Sequence, residues 1–289
     1  MNLLPDLRMS LLDLLHELRD AGIPLIVGGG FGIVLRVENA RVPGQRTLLR
    51  EWPEPRSTND LDLFLRPELL IHAGRLTALR NAVAALGYTP VPGAENYQFA
   101  RKGASGSEVG GVKIDLLTGP ASSFAGTSVK ADARRARPVP SVGIHAHPVD
   151  EAPTLEEGLL PMTLKGTLSS GGPWQCAVLL PNAYTFLMMK LCAFHDRLND
   201  STKDLGRYHA LDLYSIMATT TESEWRQATA LRDRMEGHPQ AARAGALVAK
   251  LFASPEALGA LRLRESPYYR PQLQLADFLS ALHELFPGE

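Results

Sequence analysis

The stretch "RSTNDLDLFLR", residues 56–66, carries two aspartates, Asp60 and Asp62, on either side of a single leucine. Apolar residues alternate with them, which predicts a β-strand over residues 60–65. In a strand, every second side chain points to the same face, so the two carboxylates share a face. Two like charges held side by side cost free energy unless a cation lies near them. The stretch therefore predicts a strand whose polar face requires a cation.

A run of three glycines at residues 28–30 follows a short apolar segment, "IPLIV" (23–27), which predicts a buried strand. The next segment, "FGIVLRVE" (31–38), has the apolar spacing of a helix. Exposed N–H groups at the start of a helix bind phosphate groups. The order of strand, glycine turn and helix indicates a phosphate-binding turn, or alternatively only a tight turn between two elements.

A third carboxylate, Asp115, lies in the predicted strand "VKIDLLT" (112–118), on the same face as Lys113. If this strand pairs beside residues 60–65, Asp115 joins the two other aspartates. Carboxylate oxygens favour Mg²⁺ or Mn²⁺, and two such ions about 3.5–4 Å apart activate an attacking oxygen and stabilise a leaving phosphate oxygen. The sequence predicts a divalent-metal site. The alternatives are a solvated edge strand for the aspartate pair and an ion pair with Lys113 for Asp115.

The apolar spacing changes character near residue 180. Before it, short strands and helices mix, whereas from Pro181 onward the spacing is helical. We therefore predict an α/β core over residues 1–180 and a helical C-terminal domain over residues 181–289. The further elements predicted in the core are helices at 8–20 and from Pro67 to about Ala85, strands at 96–102, 141–150 and 162–167, and a hairpin loop at 103–111.

Charge and composition limit the classes of function only weakly. The 289 residues carry a formal net charge of −1, so any nucleic-acid-binding surface has to be local. Two basic runs are candidates, either as solvated loops or as phosphate contacts. Two cysteines are too few for a disulfide framework, and no apolar run has the length of a membrane helix, which together predict a cytoplasmic protein without a membrane partner. The arginines of the first run are Arg41, Arg46, Arg50 and Arg56, and the second run is "DARRAR" (132–137).

Taken in order, "GGGFGI" (28–33), "TNDLDLFL" (58–65) and "KIDLL" (113–117) resemble the nucleotidyltransferase superfamily, which has a polymerase-beta-like fold. A later helix with a lysine, "LMMKLCAFHDR", and a Lys-Asp pair in "KDLGRYHALDL" (203–213) are similar to the AbiEii-like abortive-infection toxins. The resemblance implies a mixed sheet with flanking helices, followed by a helical C-terminal half. The chain departs from the family pattern at Gly30, where a small hydroxyl residue is common, and in its long 39–56 loop.

The resemblance also implies roles for single residues. Asp60 and Asp62 bind the metal ions, and Asp115 completes the metal site and helps to deprotonate the acceptor. Gly28 and Gly29 hold the triphosphate of the NTP.

Two residues of the C-terminal half also receive roles from the resemblance. Lys190 contacts the triphosphate, and Asp204 supports that region. For Asp204 an alternative stays open, because "STKD" (201–204) also matches a helix start with its serine as the cap. Asp196 and Asp212 are interpreted as helix-surface charges. We interpret "HAH" (145–147) and the pair of Cys192 and His195 as structural.

The implied reaction is transfer of a nucleoside monophosphate from an NTP to a hydroxyl, with release of pyrophosphate. A toxin-like role with an antitoxin partner follows from the resemblance. For the acceptor we favour RNA, namely a tRNA 3′ end, over a protein or a small molecule of the aminoglycoside type. The alternative from another class is a non-catalytic nucleotide-binding or interaction protein.

Overall fold

The computed structural model describes residues 4–56, 58–102 and 111–288. The chain folds into two compact units, and both are discontinuous in sequence. The predicted boundary near residue 180 coincides with the last switch between them, and the division at 180 into two domains stays a prediction. Unit 1 comprises Met1–Gly32, Ser57–Asp150 and Leu159–Leu180, and unit 2 comprises Ile33–Arg56, Glu151–Gly158 and Pro181–Glu289.

Ten strands occur in the described part of unit 1. They are β1 (Ile26–Val27), β2 (Asp60–Leu65), β3 (Thr89–Pro90), β4 (Gln98–Arg101), β5 (Val112–Thr118), β6 (Lys130–Ala131), β7 (Ala136–Arg137), β8 (His147–Pro148), β9 (Leu160–Thr167) and β10 (Pro173–Leu180). Eight of them form one sheet in the order β3-β4-β5-β2-β1-β10-β9, with β8 beside β5, while β6 and β7 pair separately. The large sheet is mixed, because β1 with β10, β2 with β5 and β5 with β8 are parallel and the other pairs are antiparallel.

Helix α1 (Leu4–Glu17) packs its buried leucines against β9 and β10. Helix α2 (Gly29–Ala40) follows β1 directly and continues into unit 2 from Ile33 onward. The single helix predicted from Pro67 is wrong, because the chain forms α3 (Pro67–Ile71), a 3₁₀ turn and α4 (Leu76–Ala85). The break falls at His72, which leaves helical geometry at φ −100° and ψ 60°. Gly74, a poor helix former, lies inside the 3₁₀ turn that follows.

Unit 2 is helical in its described residues. Its core joins aromatic and aliphatic side chains from several helices, including Phe194, Tyr214, Phe252 and Phe278. No helix in the described ranges is both long and apolar enough to cross a bilayer. The helices are α5 (Ala183–Arg197), α6 (Arg207–Thr219), α7 (Glu222–Arg234), α8 (Pro239–Leu251), α9 (Leu258–Arg264) and α10 (Leu275–Leu285).

Strand bounds differ most from the predictions at the edges of the sheet. The strand predicted over 141–150 is reduced to β8, two residues long, and the one predicted over 162–167 extends to the eight residues of β9. Strand β10 was not predicted, because apolar residues lie on both of its faces and hide the alternation. Most of the predicted hairpin loop, 103–110, lies outside the described residues, although its flanking strands β4 and β5 do pair antiparallel.

Candidate functional site

The strand pairing on which the three-aspartate site was made conditional is present in the structure. Strands β2 and β5 are parallel neighbours, with Asp62 opposite Asp115. On the other side of β5, strand β4 places Gln98 opposite Asp115. Because residues opposite each other on neighbouring strands share a face, Gln98, Asp115 and Asp62 form a polar row across three strands. Asp60 lies opposite Lys113 on the same face, one step along the strands.

The glycine turn touches this polar row. Gly29 has a φ of 59°, and a Cβ atom at its position would lie 1.6 Å from Oδ2 of Asp62. At Gly28, a Cβ atom would lie 2.6 Å from the ring of Phe64. Side chains are therefore excluded at both positions, by strain and contact at Gly29 and by contact at Gly28. The turn needs glycine because the acidic strand lies directly against it.

Backbone hydrogen bonds decide which N–H groups the turn can offer. The Gly28 N–H donates to the Asp62 carbonyl over 2.8 Å, so it is occupied in holding β2. Helix α2 begins at Gly29, two residues earlier than predicted. The N–H groups of Gly29, Gly30 and Phe31 are in its first turn and have no acceptor within the helix. These groups, and not that of Gly28, are available to an anion.

Lys113 is the cation nearest to the third carboxylate. Its Nζ lies 3.0 Å from each oxygen of Asp115, whose side chain is 16% exposed. Burial raises the pKa of Asp115, the charges of Lys113 and His147 act against the rise, and Asp60 adds to it, so that the net shift is upward. One cation is therefore too little to offset the burial of this carboxylate.

The polar row and the neighbouring Asp60 bear on whether a metal ion could bind here. Within the described ranges, no group of three or more His, Cys, Asp or Glu side chains stands ready to hold one. The donor chemistry does fit a hard divalent cation, because Asp60, Asp62 and Asp115 offer only oxygen ligands. In addition, Oδ1 of Asp115 is buried and accepts no hydrogen bond from the described residues. The acidic face therefore suits a cation, and Lys113 is the one that Asp115 contacts here.

Unit 2 contains a second cluster of charges, which we call the Asp212 cluster: Arg56, Lys190, His209 and Asp212. Asp212 is 1% exposed, and its Oδ2 accepts a hydrogen bond of 2.8 Å from Lys190 Nζ. Arg56 donates to both carboxylate oxygens over 3.1 Å. Burial acts to raise the pKa of Asp212, but Arg56 and Lys190 outweigh it and lower that pKa far below its ordinary value. Two cations against one carboxylate leave the cluster with a surplus positive charge.

The Asp212 cluster also contains His209, whose ring is uncharged. Burial, followed by the repulsion of Lys190, lowers the pKa of His209 to about 3, although Asp212 acts in the opposite direction. Its Nδ1 lies 3.9 Å from Asp212 Oδ2, beyond hydrogen-bonding distance, and has no hydrogen-bond partner in the described part of the chain. The ring is thus kept uncharged, first by its burial and then by its cationic neighbours.

Comparison with known proteins identifies the family. The model of the family described as "Nucleotidyl transferase AbiEii toxin, Type IV TA system" matches residues 24–285. The chain belongs to the AbiEii family. It is therefore a nucleotidyltransferase of toxin–antitoxin type, and the predicted fold class, a mixed sheet with flanking helices followed by a helical C-terminal half, is confirmed.

Two solved structures are similar at low identity. The crystal structure of ANT(2")-Ia in complex with adenylyl-2"-tobramycin is 16% identical, with 79% of this chain and 98% of that chain covered and a TM-score of 0.37. The solution structure of the antibiotic-resistance factor ANT(2'')-Ia is 15% identical, with 81% and 99% covered and a TM-score of 0.35. No curated protein matches the sequence.

In this AbiEii-family chain, the interpretation of Asp212 as a surface charge is wrong. Helix α6 buries residues on every side, so apolar spacing could not distinguish a surface position from an interior one. Asp196, by contrast, has a side chain that is 58% exposed. The predicted Ser201 cap is also wrong, because Asp200 accepts the hydrogen bond from the Thr202 N–H and starts the 3₁₀ turn. The chain begins this turn one residue earlier than the pattern indicates.

Asp204 lies within that turn in the left-handed region, at φ 57°, and its carboxylate accepts a hydrogen bond from Arg207. The loop arginines of this AbiEii-family chain fall into two groups. Arg41 pairs with Glu54 and Arg56 with Asp212, whereas Arg46 and Arg50 are exposed and form no ion pair with the described residues.

Several polar contacts in this AbiEii-family member have no signal in the local sequence. Gln98 and His147 join the acidic face only through strand pairing, and Arg56 meets Asp212 across 156 residues of sequence. No local pattern marks such partners. The one available signal was the strand period itself, since a strand paired antiparallel to β5 must place some residue opposite Asp115.

Proposed function

We propose that this AbiEii-family enzyme transfers a nucleoside monophosphate from an NTP to a hydroxyl of RNA, at a tRNA 3′ end, with the help of Mg²⁺ or Mn²⁺. The observation that carries the proposal is the contact between the glycine turn and the polar row, with Gly29 directly against Asp62. A phosphate-binding turn and a set of carboxylates thereby meet at one point of the sheet. That is the arrangement that phosphoryl transfer requires, because the phosphate and its activating cation must lie together.

In this proposal Asp60 and Asp62 hold the cation, with Asp115 as the third ligand or its neighbour. A divalent cation bound there would polarise the α-phosphate and neutralise charge that develops on the leaving oxygen. The N–H groups of the first turn of α2 hold phosphate oxygens, as helix N-termini do. Gly28 contributes by fixing β2 against the turn, since its N–H is bound to the Asp62 carbonyl.

Asp115 takes the proton of the attacking hydroxyl. The hydroxyl oxygen then forms a bond to the α-phosphorus, the bond from that phosphorus to the bridging oxygen breaks, and pyrophosphate leaves. The raised pKa of Asp115 supports this role, because a carboxylate with a higher pKa is a stronger base. Lys113, at 3.0 Å, keeps enough of the carboxylate ionised for it to accept the proton.

Lys190 binds the triphosphate in this proposal, and the surplus positive charge of the Asp212 cluster supports the role. Asp212 fixes the Lys190 ammonium group at 2.8 Å, which leaves two of its three N–H donors for other partners. Asp204 would act indirectly, by orienting Arg207.

The RNA acceptor is supported by the two loop arginines without ion pairs, Arg46 and Arg50. Each phosphate that an arginine neutralises on a single strand lowers the log–log slope of affinity against salt by about 0.7, so the two together account for a slope of roughly −1.4. An antitoxin is the further partner that we propose on the basis of the type IV toxin–antitoxin family.

The test uses purified enzyme with each α-labelled NTP, Mg²⁺ and total RNA. We expect label on RNA from the wild type and none from Asp62→Asn. Label on a polypeptide or on an added aminoglycoside would instead identify those acceptors, and no label on anything would favour a non-catalytic protein.

A salt titration of RNA binding adds a matched pair of variants. Replacing Arg46 and Arg50 by alanine should make the log–log slope of RNA affinity against salt less negative by about 1.4, while NTP affinity stays unchanged. Arg41→Ala is the control, because that arginine is already neutralised by Glu54. Equal slopes in all three proteins would remove the loop arginines from the RNA site.

A further inference from the structure

His147 lies beside the polar row, although its neighbourhood in sequence was interpreted as structural. Strand β8 pairs parallel with β5 and places His147 opposite Leu117. Leu117 is two residues beyond Asp115 on the same strand, so His147 shares the face of Asp115, one step along.

The backbone fixes the orientation and tautomer of the His147 ring. Its Nδ1 lies 2.9 Å from the carbonyl oxygen of Arg134. A carbonyl oxygen only accepts hydrogen bonds, so Nδ1 must carry a proton. In the neutral ring, Nε2 is therefore the acceptor, and it receives no hydrogen bond from the described residues.

Tyr97 supports the His147 ring directly, and Arg135 supports Tyr97 in turn. The rings of Tyr97 and His147 are stacked with centroids 6.4 Å apart and planes 26° apart. The guanidinium of Arg135 lies 5.3 Å from the Tyr97 centroid and donates to the Gly93 carbonyl. The basic run at 132–137 therefore has a local structural role. Its Arg134 carbonyl and its Arg135 side chain support the imidazole of His147 beside Asp115.

We propose that His147 Nε2 recognises a second hydroxyl of the acceptor, next to the hydroxyl that attacks. A hydroxyl group has one hydrogen to donate, and in the proposed function the attacking hydroxyl gives its hydrogen to Asp115. His147 Nε2, which accepts a hydrogen bond one step along the sheet from Asp115, therefore needs a second hydroxyl as its donor. The 2′ and 3′ hydroxyls of a terminal ribose are such a neighbouring pair, and a deoxyribose end lacks it.

This inference rests on the proposed function and names the feature of RNA that the site selects. Recognition of the diol would make the enzyme specific for ribose ends, because a 2′-hydroxyl is what distinguishes RNA from DNA at a given nucleotide. It would also orient the attacking oxygen, since two hydrogen bonds fix the ribose where one would let it rotate.

The test compares three ends of one RNA oligonucleotide: a normal ribose, a 2′-deoxyribose and a 3′-deoxyribose. The end that abolishes transfer identifies the attacking hydroxyl. The other deoxy end still reacts, and we expect the wild type to use it about tenfold or more less efficiently in kcat/KM, the loss typical of one hydrogen bond.

His147→Asn and His147→Phe are the variants, since asparagine can still donate to the Arg134 carbonyl and phenylalanine keeps a ring against Tyr97. Both should lower kcat/KM on the ribose end about tenfold and leave the reactive deoxy end unchanged, so that discrimination disappears. The ratio of the two substrates is measured on one preparation and does not depend on how much of it is folded. His72→Asn, which changes an exposed histidine of the same unit, should keep full discrimination.

Equal losses on both ends would assign His147 a purely structural role, and unchanged discrimination would remove it from the site. Both results overturn the inference while the proposed reaction stands. If the wild type labels no RNA end at all, the proposed acceptor fails and the ribose specificity fails with it.

Discussion

Two aspartates of this chain, the half-buried Asp115 and the fully buried Asp212, experience opposite environments. Asp115 in unit 1 has one cation at 3.0 Å and a raised pKa, whereas Asp212 in unit 2 has two cations at 2.8 and 3.1 Å and a lowered one. Burial acts to raise the pKa of both, so the number of paired cations decides the sign. A carboxylate that is only partly compensated remains able to take up a proton or a metal ion, while one that is fully compensated serves as an anchor for its cations.

The largest expected effect comes from a substitution that removes a carboxylate from the polar row. Asp62→Asn should lower the rate of nucleotidyl transfer by about 10³-fold or more, because the amide cannot supply the charge that holds a divalent cation. The melting temperature should change little, because asparagine has nearly the same size and shape as the aspartate that lies against Gly29. Steady-state transfer assays and calorimetry on the same preparation measure both quantities. Retention of a tenth of the wild-type rate would exclude Asp62 from the metal site.

The next effect concerns stability, and it should come from the other cluster. Asp212→Asn leaves the buried Lys190 and the half-buried Arg56 without the carboxylate that both contact, so we expect the free energy of unfolding to fall by about 3–5 kcal/mol. Adding Lys190→Met to this variant should recover part of the loss, because it removes the buried one of the two cations. Urea unfolding followed by circular dichroism measures each variant.

Asp196→Asn is the matched control for Asp212→Asn. Both aspartates lie on helices and look alike in sequence, but the Asp196 side chain is 58% exposed, so its replacement should change stability by no more than about 0.5 kcal/mol. Similar losses for the two variants would contradict the distinction between an anchoring and a surface carboxylate.

The smallest effect is a change in the slope of stability against pH. The pKa of His209 is lowered to about 3 from an ordinary value of 6.5, so between these values the unfolded chain binds a proton that the folded chain does not. The contribution of the neutral His209 ring to the free energy of unfolding is complete above pH 6.5 and is lost as the pH falls toward 3. The slope is at most about 1.4 kcal/mol per pH unit. In His209→Asn this part of the slope should disappear. Unfolding at pH 8, where both forms of the protein hold a neutral ring, isolates any effect of packing; an unchanged slope at acidic pH would show that His209 is protonated in the fold.

The sequence predicts the part of the site that depends on local order. Strand period places Asp60 and Asp62 on one face, and the glycine run marks the turn to α2. The pairing of the Asp115 strand could be stated only as a condition, because pairing is a property of the assembled sheet. Gln98 and His147 follow from that pairing and from nothing in their own neighbourhoods. The apolar pattern of helix α6 does not indicate whether Asp212 faces the surface or the interior, since every residue from Ala210 to Thr219 is buried.

The interleaving of the two units has a consequence for synthesis on the ribosome. Arg56 belongs to unit 2 but is translated 156 residues ahead of Asp212, its carboxylate partner. At about 5–20 residues per second, it must wait about 10–30 s before that partner exists. From residue 115 to residue 189 of synthesis, the nascent chain holds the glycine turn and Asp60, Asp62 and Asp115, but neither Lys190 nor Asp212. A toxin built in this way cannot assemble its full set of charged residues until the ribosome has translated Asp212, so every shorter nascent chain is an incomplete enzyme.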